Sequence, residues 1–251
     1  MRTILVIGIG AGHPEHVTMQ AVRALNEVDV FFALDKGAAK HDLLALRHEI
    51  CRRYIDPGRS YRFVEARDPV RDEQVASYDA RVDAWHGERV EILEKLFQDE
   101  LPEHGTGAFL VWGDPSLYDS TLRILERMIE RGVVPFTYRV IPGISSVQAL
   151  AASHRIALNR IGGAVHITTG RKLGEAREQR DVVVMLDGEC AFKELPGEEY
   201  DIWWAAYAGS EHEILRAGRL RELGEEIERV RAAARRERGW IMDSYVLRRR
   251  A

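Results

Sequence analysis

Short apolar runs recur along the chain, and most of them end at glycine, proline or aspartate before a stretch with helical spacing begins. Thr3–Ile9 is apolar and β-branched, which predicts a first buried strand. It opens into Gly8-Ile9-Gly10-Ala11-Gly12-His13-Pro14. Thr18 is placed to cap a helix through Leu25, with Val22 and Leu25 on one face. Val28–Leu34 predicts a second strand, ending at Asp35-Lys36-Gly37. His41–Tyr54 predicts a helix with Leu44, Arg47, His48 and Cys51 at helical spacing, and Asp56-Pro57-Gly58 a turn. Tyr61–Val64 follows as a short strand. Val70–Glu100 is a long charged helical stretch with Val75, Tyr78, Val82 and Trp85 on one side, broken by Pro102–Gly107. The apolar run from Phe109 stops at Gly113-Asp114-Pro115, ahead of a helix over Ser120–Arg131. Pro135–Ile141 is a further strand, running into Pro142-Gly143-Ile144-Ser145-Ser146 and a helix to Ser153. Strand, loop and helix alternate throughout, which implies a mainly parallel sheet covered by helices.

Beyond a connection at His154–Ile161 the pattern changes. Ala164–Thr169 and Asp181–Leu186 are strand candidates separated by a charged, helix-compatible segment. Tyr200–Tyr207 and Glu211–Arg216 read as neighbouring strands joined at Ala208-Gly209-Ser210. Arg219–Arg236 is an amphipathic helix with Leu220, Leu223, Ile227 and Val230 inward, and Trp240–Leu247 closes as a strand. Strands joined by short turns point to a mixed sheet. The expectation is two α/β domains, residues 1–157 with a mainly parallel sheet and residues 158–251 with a mixed one.

Composition narrows the class. In 251 residues, 45% are hydrophobic, 30% are charged and the net charge is −4, which describes a soluble, mildly acidic protein with material for a full core. No global basic excess suggests a nucleic-acid partner. No apolar stretch approaches the ~20 residues of a membrane span, and the short, glycine-broken run at Ile4–Gly12 does not read as a leader. Cys51 and Cys190 form no CxxC pair, which fits a reducing cytoplasm rather than a disulfide scaffold or a zinc site.

Three loops carry the candidate chemistry. Gly8 and Gly10, with Asp35 after the second strand, partly match a dinucleotide fingerprint. The third position holds His13, though, and the helix starts only near Thr18, which leaves a long loop where a tight phosphate-binding turn is needed. Gly113-Asp114-Pro115 and Pro142-Gly143-Ile144-Ser145-Ser146 are, singly, ordinary strand-end turns. Together the three would bring small and polar groups to one sheet edge, where ligands of open α/β sheets bind. His48-Glu49 lacks the second histidine of a metalloprotease motif, and no G-x-S-x-G elbow is present.

In order and placement these three loops resemble those of the tetrapyrrole (corrin/porphyrin) methylases, and the second half fits that family's C-terminal domain. Many relatives carry proline where Ala11 stands and aspartate where His13 stands. The resemblance implies a class III methyltransferase fold with an S-adenosylmethionine (SAM) cleft between two domains, S-adenosylhomocysteine as product, no metal, and a homodimer in the cytoplasm with no nucleic-acid or membrane partner. Gly10–His16, Ala21–Gly37 and Trp203–Glu213 are most similar to members that methylate C-1 of precorrin-5 and release acetate in cobalamin biosynthesis. By that pattern Gly113, Asp114, Leu117, Tyr118, Ser145, Ser146, Met185, Leu186, Ala206 and Tyr207 line the cofactor. His13 and Asp35 are candidates for the base or water-orienting group, and Lys36, Lys40 and Arg155 for contacts to substrate carboxylates. Alternatives of the same fold are another corrinoid methylase or a relative acting on RNA or protein; outside catalysis, a SAM- or nucleotide-binding regulator.

Overall fold

The computed structural model describes residues 1–35, 41–70 and 77–250. The chain divides into two compact units, Met1–Gly10 with Pro14–Ile144, and Ala11–His13 with Ser145–Ala251.

In the first unit, strands β1 (Arg2–Gly8), β2 (Val30–Asp35), β3 (Arg62–Arg67), β4 (Thr106–Val111) and β5 (Phe136–Ile141) form one sheet in the order β3-β2-β4-β1-β5. Every pairing in it is parallel. Helices α1 (Met19–Leu25), α2 (His41–Tyr54), α3 (Tyr78–Glu100) and α4 (Thr121–Arg131) connect the strands. A right-handed crossover fixes which face each helix covers. From β1 to β3 the chain moves one way across the sheet, and from β3 to β5 it moves back. So α1 and α2 lie on one face and α3 and α4 on the other. The strand residues alternate accordingly. Leu5, Ile7, Phe31, Ala108 and Leu110 pack with Ala21, Leu25, Ile50 and Cys51. Ile4, Val6, Phe32, Phe109 and Val111 pack with Val90, Leu93, Phe97, Ile124 and Leu125. Burial pushes the Cys51 thiol up to about 12, so it serves as a small apolar core residue.

The second unit holds strands β6 (His166–Thr169), β7 (Asp181–Met185), β8 (Tyr200–Ala206), β9 (Ile214–Arg219) and β10 (Asp243–Arg249) in the order β6-β7-β10-β8-β9. Only β6 and β7 pair in parallel, so the sheet is mixed, as the strand spacing predicts. Helix α6 (Leu220–Arg238) buries Leu220 and Ile227 against Val182, Val184, Ile202, Trp204 and Tyr245, with Leu223 and Val230 beside them. Helix α5 (Ser146–His154) lies against β8, β9 and β10.

Element boundaries shift where side chains hold the backbone in turns. Residues 211–213 do not join β9 as expected. The Glu213 carboxylate accepts from the Gly209 N–H at 2.6 Å and the Ser153 hydroxyl at 2.7 Å, which keeps them in the turn. Likewise β10 starts at Asp243 because the Trp240 carbonyl accepts the Tyr207 hydroxyl and the Met242 carbonyl accepts the Tyr207 N–H. The helix-compatible segment between β6 and β7 forms a 3-10 turn over Gly170–Ala176. Of the stretch from Val70, α3 itself begins at Tyr78 behind the Ser77 cap; Val75 lies outside the described residues.

Candidate functional site

Neighbouring strands β1 and β4 send their chains to opposite faces of the first sheet, and the carboxyl ends of such a pair frame a crevice. There the three loops meet through their backbones. The Ile9 N–H donates to the Val111 carbonyl at 2.9 Å, and the Gly113 N–H to the Gly10 carbonyl at 2.8 Å. A Cβ on Gly8 would stand 2.6 Å from the Gly143 nitrogen, and one on Gly143 would stand 2.8 Å from Gly8 Cα. Glycine at these two positions is therefore a requirement of closeness.

Asp114 ties two of these loops together. One carboxylate oxygen accepts the Gly143 N–H at 2.8 Å; the other accepts the Ser116 N–H at 2.8 Å and the Ser116 hydroxyl. Burial pushes its pKa up, but the hydrogen bonds from Ser116 and Gly143 outweigh that, and the carboxyl sits below its ordinary value. The Leu117 N–H bonds back to the Asp114 carbonyl at 3.2 Å. Tyr118 follows with φ 54° and 43% exposure, and the Asp119 carboxylate then accepts the Thr121 N–H at 2.7 Å to start α4. A left-handed backbone at a bulky residue costs about 1–3 kcal/mol and persists where its surroundings impose it. Here two carboxylate-pinned turns do so.

The second unit builds its own constellation at the carboxyl ends of β7 and β8. Met185 stands opposite Ser244 in the register of β7 and β10. The Ser244 hydroxyl lies 3.4 Å from that of Ser146. Ser145 caps α5, its hydroxyl accepting the Val147 N–H at 3.2 Å while its own N–H donates to Gln148 at 2.9 Å. Leu186 takes a left-handed backbone, φ 52°, and stands 61% exposed. Ala206 ends β8 in the core. Gly12 approaches Ser210 and the Ala208 carbonyl closely, which sets the 11–13 segment beside the turn after β8 and leaves the His13 side chain exposed.

Gly113, Asp114, Leu117 and Tyr118 thus gather at one edge of the first sheet. Ser146 and Met185 come together through Ser244, with Ser145 next to them. One expectation changes. The Tyr207 ring, expected to face a ligand, is packed edge-on to Trp240 inside the core, with its hydroxyl on the Trp240 carbonyl at 2.7 Å. Arg155 is exposed and caps the carboxyl end of α5 at φ 56°. Asp35 ends β2 on the edge that carries Gly113; its side chain, Lys36 and Lys40 lie outside the described residues. Sequence reasoning missed Ser116, Ser244 and Asp187. The Asp-Pro-Ser spacing is a turn signal that would have yielded Ser116; nothing local marks Ser244, whose partner is distant in sequence. Among the described residues no three His, Cys, Asp or Glu side chains gather as a metal site.

Comparison with known proteins places this arrangement among relatives. Residues 3–224 match the sequence model of the tetrapyrrole (corrin/porphyrin) methylases. The chain is 54% identical to precorrin-6A synthase [deacetylating] of a Sinorhizobium species, over 100% of this chain and 97% of that one. The crystal structure of a cobalamin-synthesis-related protein, CobF, of Corynebacterium diphtheriae superposes with a TM-score of 0.83 at 44% identity, covering 99% of this chain and 98% of that one. Uroporphyrin-III C-methyltransferase of Thermus thermophilus, solved with S-adenosylhomocysteine, shares the fold at 19% identity and a TM-score of 0.58, over 98% and 91% of the two chains.

Proposed function

Because this chain belongs to the tetrapyrrole (corrin/porphyrin) methylases, we propose that it transfers a methyl group from SAM to C-1 of precorrin-5 and releases acetate, giving precorrin-6A in cobalamin biosynthesis. The observation that carries this reading is the 54% identity, along the whole chain, to a precorrin-6A synthase [deacetylating].

SAM supplies an activated methyl on a sulfonium, so what falls to the protein is alignment. Holding donor and carbon nucleophile at near-attack distance lowers a barrier by ~7–11 kcal/mol. In the first unit we assign Gly113, Asp114, Leu117 and Tyr118 to the cofactor. The local structure fits such a group: glycine backbones leave room for close approach, and a carboxylate held ionised suits a cationic ligand. In the second unit we assign Ser145, Ser146, Met185, Leu186, Ala206 and the backbone of Tyr207. Loss of the acetyl carbons requires water delivered to a carbonyl, and His13 and Asp35 are our candidates to orient it. The carboxylate-rich macrocycle is assigned to Lys36, Lys40 and Arg155, since cations bind such groups by charge-assisted hydrogen bonds. A cytoplasmic location fits the two free thiols, and a homodimer fits the apolar surface that Ile129, Val133 and Val140 expose on the first unit.

Incubation with methyl-labelled SAM and precorrin-5 tests the reading. One label per macrocycle and one free acetate are expected. Label without acetate would sink the deacetylating step, and no label on any corrinoid would sink the substrate class.

A further inference from the structure

Asp187 anchors a turn that the expected site does not account for. It follows Leu186, whose side chain is exposed on a left-handed backbone, yet Asp187 itself is 5% exposed. Its carboxylate accepts the Glu189 N–H at 3.0 Å, the Ala191 N–H at 2.7 Å and the Tyr245 hydroxyl at 2.7 Å. Arg231, on α6, reaches the same turn from behind. It donates to the carbonyls of Asp187 at 2.7 Å and Gly188 at 3.2 Å, and its third arm meets the Asp243 carboxylate at 3.0 Å. Asp243 in turn accepts the Trp204 indole N–H at 2.9 Å. Three strands and a helix thereby converge on the residue after Leu186.

A connection leaving a strand needs none of this, since a solvated polar turn would serve. Nor does stability explain it: a buried ion pair commonly gains no more than well-packed apolar residues would. What a fully bonded buried network does supply is one fixed geometry. The space is matched to it as well, since a Cβ on Gly170 would stand 2.5 Å from the Asp187 carboxyl carbon. We propose that Asp187, braced by Arg231 and Tyr245, is a positioning residue that holds Met185 and Leu186 in the conformation that receives SAM. This rests on the assignment of Met185 and Leu186 to the cofactor.

The full-length enzyme is assayed with Tyr245→Phe, which removes one bond to the carboxylate, and Gly170→Ala, which crowds the carboxylate without removing any of its hydrogen-bond partners. Leu186→Lys serves as the control on the cofactor assignment, since it changes an exposed side chain and places a cation where a cationic ligand is assigned. Both network variants are expected to raise the KM for SAM about ten-fold, with kcat and the KM for the macrocycle held within about two-fold, the signature of lost uniform binding. Calorimetric SAM affinity should fall in parallel. If Leu186→Lys weakens SAM binding while both network variants lower only the unfolding temperature, the positioning role is overturned and the cofactor assignment stands. If Leu186→Lys leaves SAM binding unchanged, the assignment fails and the proposal fails with it.

Discussion

At the scale of single residues, Asp114 shows how one side chain joins two separate turns at one edge. Its two oxygens hold Gly143 and Ser116, residues on loops that follow different strands. Asp114→Asn keeps the shape but turns an amide N–H₂ toward one of those donors. Half-exposed hydrogen bonds of this kind are worth about 1 kcal/mol each before solvent screening. We expect the variant to fold, to lose about that much stability at pH 7, and to bind SAM several-fold more weakly in a calorimetric titration. The pH dependence has a definite sign. A carboxyl whose folded pKa lies below its unfolded value stabilises the fold above the unfolded value, and that contribution is lost as the pH falls through the folded one. The gap in urea midpoint between wild type and Asp114→Asn should therefore be widest near neutrality and close on acidification below pH ~4. A gap that widened in acid would contradict the bonding described for Asp114.

Among the elements, the glycines separate those that maintain contact from those that only permit flexibility. Gly143 has backbone atoms of Gly8 and Gly113 where its side chain would be, whereas Gly87, inside α3, has nothing within 4 Å of that point. Overpacking against backbone costs about 1–3 kcal/mol or more, while glycine in an open helix position costs about 0.5–1 kcal/mol relative to alanine. Gly143→Ala should lower the unfolding temperature and weaken SAM binding together. Gly87→Ala should raise the unfolding temperature and leave binding alone. Equal behaviour of the two in a thermal melt would mean that the loops do not require their contact. The elements were largely readable in advance: α2 spans His41–Tyr54 as the spacing predicts, and β1, β5 and β7 fall within a residue or two. Several moved by three residues: β3 and β4 extend beyond their apolar runs, and β9 and β10 start late because Glu213 and Tyr207 draw their flanks into turns through partners far along the chain.

For the whole molecule, each unit carries a core of its own, two-sided about the parallel sheet in the first and built around α6 and the mixed sheet in the second. A ligand that binds only the folded state raises its stability by about 2.7 kcal/mol at a hundredfold excess over Kd. In a chain of this size that corresponds to an unfolding temperature higher by roughly 5–10 °C. Differential scanning fluorimetry should show such a shift with SAM or S-adenosylhomocysteine and none with NAD, because α1 begins only at Met19, behind its Thr18 cap, and offers no tight turn for a pyrophosphate. A shift with NAD alone would overturn the cofactor assignment.

By itself the sequence determined the alternation of strands and helices, the change from a parallel to a mixed sheet, and the three loops that mark the family. Those features are local: hydrophobic period, caps and turn residues act within a few positions of one another. Only the tertiary structure decided that Gly8, Gly113 and Gly143 stand in backbone contact, that the Tyr207 ring belongs to a core, and that the Asp187 carboxylate is buried against the Tyr245 hydroxyl. Each depends on partners brought close by strand order, and strand order follows from crossover handedness and core packing across the whole sheet.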